Sequence, residues 1–377
     1  MRILLLLPAL FICLNSFAGI GHTSVTFIDD SRGGRDVTAE VYYPALADGD
    51  ETEWEAEQFP ILVFGHGFVM DYDAYQNIWE ALVPAGYIVV LSTNETGFAP
   101  NHSDYGLDLR FLATSLESEN ADPGSFFYTH LSGTAAVAGH SMGGGASVLA
   151  ASGNSVFDAY IGLAPAETNP SAINAAVNVS IPSIILSGSA DGITPAAQHH
   201  IPIYDALGSD CKIFVNIIEG SHCYFANSGS LCDLGEFNAG DMDRATQQAI
   251  TQNIMLKWLN TWLKGLDEYD SLISFLSENI ELEAEVDCEL SVLNFEQGKQ
   301  DLIYPNPCDN YCTIQLNSNG NKNLSLFQSG KYIELKIIQQ TSSEITIDTS
   351  NIAAGIYTLT QRSENGHLAL GRLLVVH

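Results

Sequence analysis

The chain has 377 residues, 46% of them hydrophobic, which is enough for one large domain and a smaller one. Asp and Glu number 45 against 14 Lys and Arg, so the formal net charge is −31. Because such a surface repels phosphate groups, the composition excludes nucleic acids and anionic membrane surfaces as partners.

The first eighteen residues have the pattern of a signal peptide. Met1-Arg2 forms a short charged end, residues 3–14 an apolar core, and Ser16-Phe17-Ala18 a cleavage site of mostly small residues. This apolar run is too short for a membrane span, and no later stretch is long and apolar enough to cross a bilayer. We therefore expect cleavage after Ala18, export, and no stable membrane span.

Six of the seven cysteines follow the predicted leader, and an even number in an exported protein predicts disulfides. Sequence alone does not fix their connectivity. The nearest pairs, and hence the candidates, are Cys223 with Cys232 and Cys308 with Cys312. None of the cysteines has metal-site spacing with histidines, so we expect no zinc or other bound metal.

Apolar runs alternate with helical patterns through the first two thirds of the chain. Strands are predicted at 24–28, 37–43, 60–64, 87–91, 133–138, 159–163, 183–186 and 212–218. Helices are predicted at 75–85, 107–118, 146–152, 196–207 and 242–264. This alternation predicts a mainly parallel sheet of about eight strands with helices on both faces, and a site at the C-terminal strand ends. In the last helix, a stripe is predicted to pack on the core: Ile250, Ile254, Trp258 and Trp262.

The segment Gly139-His140-Ser141-Met142-Gly143 fits G-x-S-x-G, the nucleophile elbow of serine hydrolases. A strand precedes it and a helix of small residues follows it. Its glycines leave room for a tight turn that exposes the hydroxyl of Ser141 at the N-terminus of the helix. We predict that Ser141 is a catalytic nucleophile.

A serine nucleophile needs a base, and the base needs an acid to orient it. Asp191 follows the predicted strand that ends at Leu186, and His222 follows the next one, so the order serine, acid, histidine is that of the hydrolase elbow. Asp191 alone is also compatible with a helix cap, and His222 with a packed loop residue. Their order and positions favour the catalytic interpretation.

Other candidates fit less well. His199 and His200 fall inside a predicted helix, where we expect them on the surface. His102 lies in a loop before the nucleophile, which is the wrong side in sequence order. Asp158 begins a strand instead of following one.

An acyl-transfer site also needs two backbone N–H groups that stabilise the oxyanion. The residue after the nucleophile, Met142, supplies one. The loop after the strand at 60–64 contains His66-Gly67-Phe68, which resembles an H-G-x motif; an ordinary tight turn at His66-Gly67 is the alternative. We assign the second donor to Phe68.

With these residues in view, the region from Thr23 to about Gly265 resembles the α/β-hydrolase superfamily, and most of all the bacterial cutinases and polyester (PET) hydrolases, beside the dienelactone-hydrolase-like esterases. The resemblance is carried by residues 139–145, 191–195, 203–205, 220–222 and 226–229. It implies hydrolysis of carboxylic esters through an acyl-enzyme, without a cofactor. It also implies that Phe68 and Met142 contact the substrate, which includes short-chain esters and polyesters such as PET.

Two departures weaken the polyester prediction relative to ester hydrolysis. The family usually carries a tryptophan soon after an Ala-Pro pair. Here no tryptophan follows Ala164-Pro165; the stretch contains Glu167 instead, which we expect in the substrate cleft. The loop between Cys223 and Cys232 is also longer than in the family. The alternatives are a lipase, a polysaccharide acyl esterase and, more remotely, a non-catalytic surface binding protein.

The composition changes near residue 301, after an acidic transition segment at 267–300 in which a short apolar helix is predicted. Short strands are predicted at 313–316, 324–327, 333–338, 344–347, 356–361 and 368–376, which indicates a small β-sandwich. This tail resembles the C-terminal sorting domain of type IX secretion at residues 304–307, 347–349, 355–357 and 373–376. The predicted domains are therefore a signal peptide (1–18), a catalytic domain (19–266), a transition (267–300) and a sorting domain (301–377). The resemblance implies export across a bacterial outer membrane to a secreted or cell-surface location, with the secretion machinery as partner; we expect a monomer.

Overall fold

The computed structural model describes residues 19–228, 231–237, 239–288, 302–304, 308, 310–315, 324–328, 331–341, 344–352, 355–363 and 366–375. The predicted signal peptide lies outside these residues, as does most of the second half of the predicted transition segment. Within the described residues, no helix combines the length and the apolar character that crossing a bilayer requires.

In the described residues between 19 and 288, the chain forms one ten-stranded sheet with helices. Its strands are β1 (Gly19–Asp29), β2 (Arg35–Ala45), β3 (Gly49–Asp50), β4 (Phe59–Gly65), β5 (Ile88–Ser92), β6 (Leu131–His140), β7 (Ala159–Leu163), β8 (Ser183–Gly188), β9 (Cys211–Ile217) and β10 (Leu282–Cys288). Its helices are α1 (Gln76–Leu82), α2 (His102–Ala121), α3 (Met142–Ala151), α4 (Ala172–Ala176), α5 (His200–Ala206), α6 (Arg244–Trp262) and α7 (Tyr269–Glu278). The strand order is β10-β9-β8-β7-β6-β4-β5-β2-β1-β3.

The burial of the strands follows their position in the sheet. All residues of β4, β5, β7 and β8 are buried, as expected of strands covered on both faces. Parallel pairing joins β5, β4, β6 and β7, whereas β1 and β2 add antiparallel strands at one side. The predicted mainly parallel sheet is confirmed, and the fold is the α/β-hydrolase fold.

The sheet is larger than predicted. The two-residue strand β3 was not foreseen, and β10 joins the edge of the sheet beside β9. The segment predicted as an acidic transition contains the short helix expected there, α7, and in addition a sheet strand before residue 289.

The apolar stripe of α6 packs as predicted. Ile250, Ile254 and Trp258 are buried, and the rings of Trp258 and Trp262 lie 5.6 Å apart between centroids. Burial of this stripe anchors the last long helix on the sheet.

In its described residues, the tail forms two four-stranded sheets. One has the order β11-β12-β16-β15 and the other β14-β13-β17-β18. The bounds are β11 (Leu302–Tyr304), β12 (Tyr311–Gln315), β13 (Leu324–Gln328), β14 (Lys331–Glu334), β15 (Lys336–Gln340), β16 (Glu344–Asp348), β17 (Gly355–Ser363) and β18 (Gly366–Val375). Both sheets contribute to one core, which includes Ile314, Leu326, Ile347 and Leu359. The predicted sandwich is confirmed, but the single strand predicted at 333–338 is wrong, because the chain passes there from one sheet to the other.

The cysteines pair only partly as predicted. Cys223 and Cys232 form a disulfide, and so do Cys211 and Cys288. Proximity in sequence missed the second bond because β9 and β10, far apart in the chain, are neighbours in the sheet.

The candidate pair Cys308 and Cys312 is wrong, since both are buried free thiols in the core of the sandwich. Cys312 lies in β12, whereas Cys308 forms a bridge to Val375. The two thiols hydrogen-bond to each other, and burial raises the pKa of Cys312 to about 12.

Candidate active site

The elbow between β6 and α3 holds Ser141 in a strained conformation. Its φ of 55° and ψ of −121° lie in a region that residues with a side chain rarely adopt. Three backbone bonds impose this geometry: the N–H of Ser141 donates to Leu163 (2.9 Å), and its carbonyl accepts from Gly145 (3.1 Å) and Ala166 (2.8 Å). The turn therefore presents this serine, 9% exposed, at the C-terminal end of a central strand.

The turn also needs its glycines for close backbone contact. A Cβ on Gly143 would overlap the carbonyl of Gly65 at the end of β4, and one on Gly139 would overlap the carbonyl of Gly143. The helix α3 can approach the sheet this closely only because these side chains are missing.

The two loops that follow β8 and β9 bring Asp191 and His222 together. Their contact is a buried one of 2.7 Å between Oδ2 of Asp191 and Nδ1 of His222. Oδ1 of Asp191 meanwhile accepts the backbone N–H groups of Ile193 (2.9 Å) and Thr194 (2.7 Å). These two bonds close a turn, since the next helix, α5, begins only at His200. Of the two alternatives that sequence left open, the structure therefore shows the histidine partner and not a helix cap at Asp191.

The surroundings of Asp191 stabilise its ionised form. Burial raises its pKa, but the hydrogen bond and the charge of His222 outweigh burial and lower the pKa to about 2. With Nδ1 of His222 donating to this carboxylate, its Nε2 remains the proton acceptor.

A second set of groups surrounds the same carboxylate. The hydroxyl of Thr194 lies 3.0 Å from Oδ2 of Asp191, 2.8 Å from Nδ1 of His222 and 3.0 Å from Nε2 of His200. His200 in turn contacts the hydroxyl of Ser187 through Nδ1 at 2.8 Å, and its Nε2 is 3.7 Å from Asp191. Ser187, His200 and Asp191 therefore also form a Ser-His-Asp-like arrangement.

The predicted surface position of His200 is wrong. It is the first residue of α5, and its side chain is fully buried beneath the loop of Asp191. Burial lowers its pKa to about 3, so it is a neutral partner at physiological pH. The sequence pattern predicted a helix in this region, but it did not show that the side chain of His200 faces the protein interior.

A chain of buried groups links the loop after β4 to His222. The N–H of Gly67 donates to the hydroxyl of Tyr75 (2.8 Å), which contacts Nδ1 of His140 (2.9 Å). Nε2 of His140 donates to the carbonyl of His222 at 3.1 Å, and the two imidazole centroids are 4.6 Å apart. Burial drives the pKa of His140 well below its usual value, so it stays neutral. The residue before Ser141 thus packs directly on His222.

The structure places Ser141 at the elbow, Phe68 in the loop after β4 and Met142 at the first position of α3. Ser141 Oγ and His222 Nε2 form no hydrogen bond with each other or with any described residue. The backbone N–H groups of Phe68 and Met142 likewise find no acceptor in the described part of the chain. Phe68 is half exposed, whereas Met142 is buried at the start of α3.

Glu167 is hydrogen-bonded to neighbouring residues through both its carboxylate and its backbone N–H. Its carboxylate accepts the N–H of Ile173 (2.9 Å), and its own N–H donates to Nδ1 of His199 (3.0 Å). No group of three His, Cys, Asp or Glu side chains is arranged to hold a metal ion within the described ranges.

The fold and the elbow define the chain as an α/β hydrolase. Residues 30–279 match the family model described as PET hydrolase-like, and the chain belongs to that family. Residues 302–375 match the secretion system C-terminal sorting domain, which links the chain to type IX secretion and supports a secreted or surface location. A curated relative, "Cutinase est1" of Thermobifida alba, is 24% identical over 240 residues, which are 62% of this chain and 74% of that protein.

Proposed function

We propose that this chain is a secreted serine esterase of the cutinase and polyester-hydrolase type. Ser141 attacks the acyl carbon, His222 takes and returns the proton, and Asp191 orients His222. The N–H groups of Phe68 and Met142 stabilise the oxyanion, and water then hydrolyses the acyl-enzyme. The predicted signal peptide and the sorting tail would deliver the enzyme outside the cell.

The observation that carries this proposal is the buried 2.7 Å contact between Asp191 and His222 beside a strained serine elbow. Strain of this kind persists only where the surrounding structure maintains it, and it is typical of nucleophiles. The missing bond between Ser141 and His222 is compatible with this role, because catalytic hydrogen bonds often shorten only when substrate binds.

The other serine near this carboxylate is a poorer nucleophile. Ser187 lies within β8 and is completely buried, so an ester carbonyl has no access to it. His200, which contacts it, is buried as well. We therefore assign Ser187 and His200 to the support of Asp191.

Polyester hydrolysis is the finer part of the proposal. It is supported by the family, by the similarity to a cutinase, and by two exposed aromatic rings. Phe68 and Phe98 form an edge-to-face pair with centroids 6.4 Å apart, and Phe98 is 82% exposed. A cavity of about 390 Å³ is lined by residues of the segment 69–76 and by Asn227, Ser228 and Leu231. These rings offer an apolar contact in a chain that lacks the family's tryptophan.

The test compares wild type with Ser141→Ala and Ser187→Ala on p-nitrophenyl butyrate. Turnover should vanish with Ser141→Ala and persist with Ser187→Ala. Wild-type turnover by Ser141→Ala would end the proposal. A series of acyl lengths and a polyester film then identify the substrate: a maximum at long chains indicates a lipase, and release of soluble monomers indicates a polyester hydrolase.

A further inference from the structure

The backbone that carries His222 is held by side chains from later parts of the chain. Gln247 of α6 binds Ser221 twice: its Oε1 accepts the N–H and its Nε2 donates to the carbonyl, each at 2.8 Å. Arg244 donates to the carbonyls of Cys223 and Ala226, each at 2.6 Å. The N–H groups of His222 and Cys223 remain to be satisfied.

One carboxylate accepts both of these N–H groups. Oε1 of Glu236 lies 2.6 Å from the N–H of His222, and Oε2 lies 2.8 Å from the N–H of Cys223. An ionised carboxylate suits two parallel donors because it offers only acceptors. Its two oxygens therefore hold the two peptide units that flank the Cα of His222, one before it and one after it.

The loop that delivers Glu236 is closed at its base. The disulfide between Cys223 and Cys232 links the residue after His222 to the segment just before Glu236. Arg244 also pairs with Asp233 on this segment at 2.6 Å. Because the disulfide closes a short loop, the segment that carries Glu236 has less conformational freedom. Holding the carboxylate of Glu236 against the two N–H groups therefore costs little conformational entropy.

We propose that Glu236 is a positioning residue for the esterase reaction, which holds the backbone of His222 so that its imidazole stays between Asp191 and Ser141. This inference rests on the proposed function of the site. Glu236 acts through His222, without contact with the ester, so it should affect kcat and leave substrate binding unchanged.

The test is the substitution Glu236→Gln. An amide of the same shape has only one acceptor oxygen, so its NH₂ group must face one of the two backbone N–H donors. We expect kcat on p-nitrophenyl butyrate to fall at least about tenfold while KM stays within about twofold of wild type. Asp241→Asn is the matched control, because it removes one exposed carboxylate from the same stretch and should leave both constants near wild type.

Two results would overturn the proposal: wild-type kcat in Glu236→Gln, or a raised KM with unchanged kcat. If Glu236→Gln does not fold, as judged by its thermal transition, Glu236→Asp replaces it. This shorter acid keeps the charge but reaches at most one N–H, so kcat should fall at constant KM, and an unchanged kcat would refute the inference. Ser141→Ala is measured in parallel: its activity would refute the proposed function, whereas inactivity of Ser141→Ala with full activity of Glu236→Gln refutes only the role of Glu236.

Discussion

Replacing Ser141 by glycine should remove the activity and stabilise the protein at the same time. A residue with a side chain at φ 55° and ψ −121° costs on the order of 1–3 kcal/mol, and glycine has no such cost. Oγ of Ser141 has no hydrogen-bond partner among the described residues, so its removal breaks no bond. Against this gain, glycine loses more chain entropy on folding than alanine does, which costs about 0.5–1 kcal/mol.

The difference leaves Ser141→Gly about 1 kcal/mol more stable than Ser141→Ala, which keeps the Cβ and its strain. For a domain of this size, that free energy corresponds to about 2–4 °C in Tm. The assay is thermal denaturation of both variants, with urea unfolding as a second measurement. A Tm of Ser141→Gly at or below that of Ser141→Ala would show that the elbow stores no strain.

Three further predictions concern the groups around Ser141. Thr194→Val removes the hydroxyl that is hydrogen-bonded to the charged carboxylate of Asp191, and such a bond is worth about 1.5–3 kcal/mol. In steady-state kinetics, kcat/KM should therefore fall about tenfold or more. Thr194→Ser keeps the hydroxyl and should stay near wild type. The pKa of Asp191 is lowered to about 2, so its ionised form stabilises the fold above about pH 4 and this gain is lost as pH falls towards 2. Urea unfolding should therefore show the advantage of wild type over Asp191→Asn shrinking over that range, and a constant advantage would refute it. Gly143→Ala places a Cβ on the carbonyl of Gly65 and should cost about 3 kcal/mol in thermal unfolding; an unchanged Tm would contradict the close packing.

Local pattern was sufficient to predict most of the sheet. Runs such as 60–64 and 159–163 are apolar throughout because they are covered on both faces, and they appear as β4 and β7. The elbow was readable because G-x-S-x-G encodes a turn that only those glycines permit. Chain order then placed Asp191 and His222 on adjacent loops.

Features that depend on tertiary neighbours were not predictable. The strand β10 and the bond between Cys211 and Cys288 depend on pairing across 77 residues of sequence. The burial of His200 depends on which face of a short helix meets the loop of Asp191. Glu236 gave no signal, because a single acid in a polar loop resembles any solvated carboxylate until its two N–H partners are seen.

The central claim, that Ser141 is the nucleophile, is tested most directly by covalent labelling. The wild-type protein is inactivated with a fluorophosphonate, digested, and mapped by mass spectrometry. The account predicts one adduct on the peptide that contains Ser141, and none in the variant His222→Ala under the same conditions. An adduct on Ser187, or full ester turnover by protein labelled at Ser141, would contradict it.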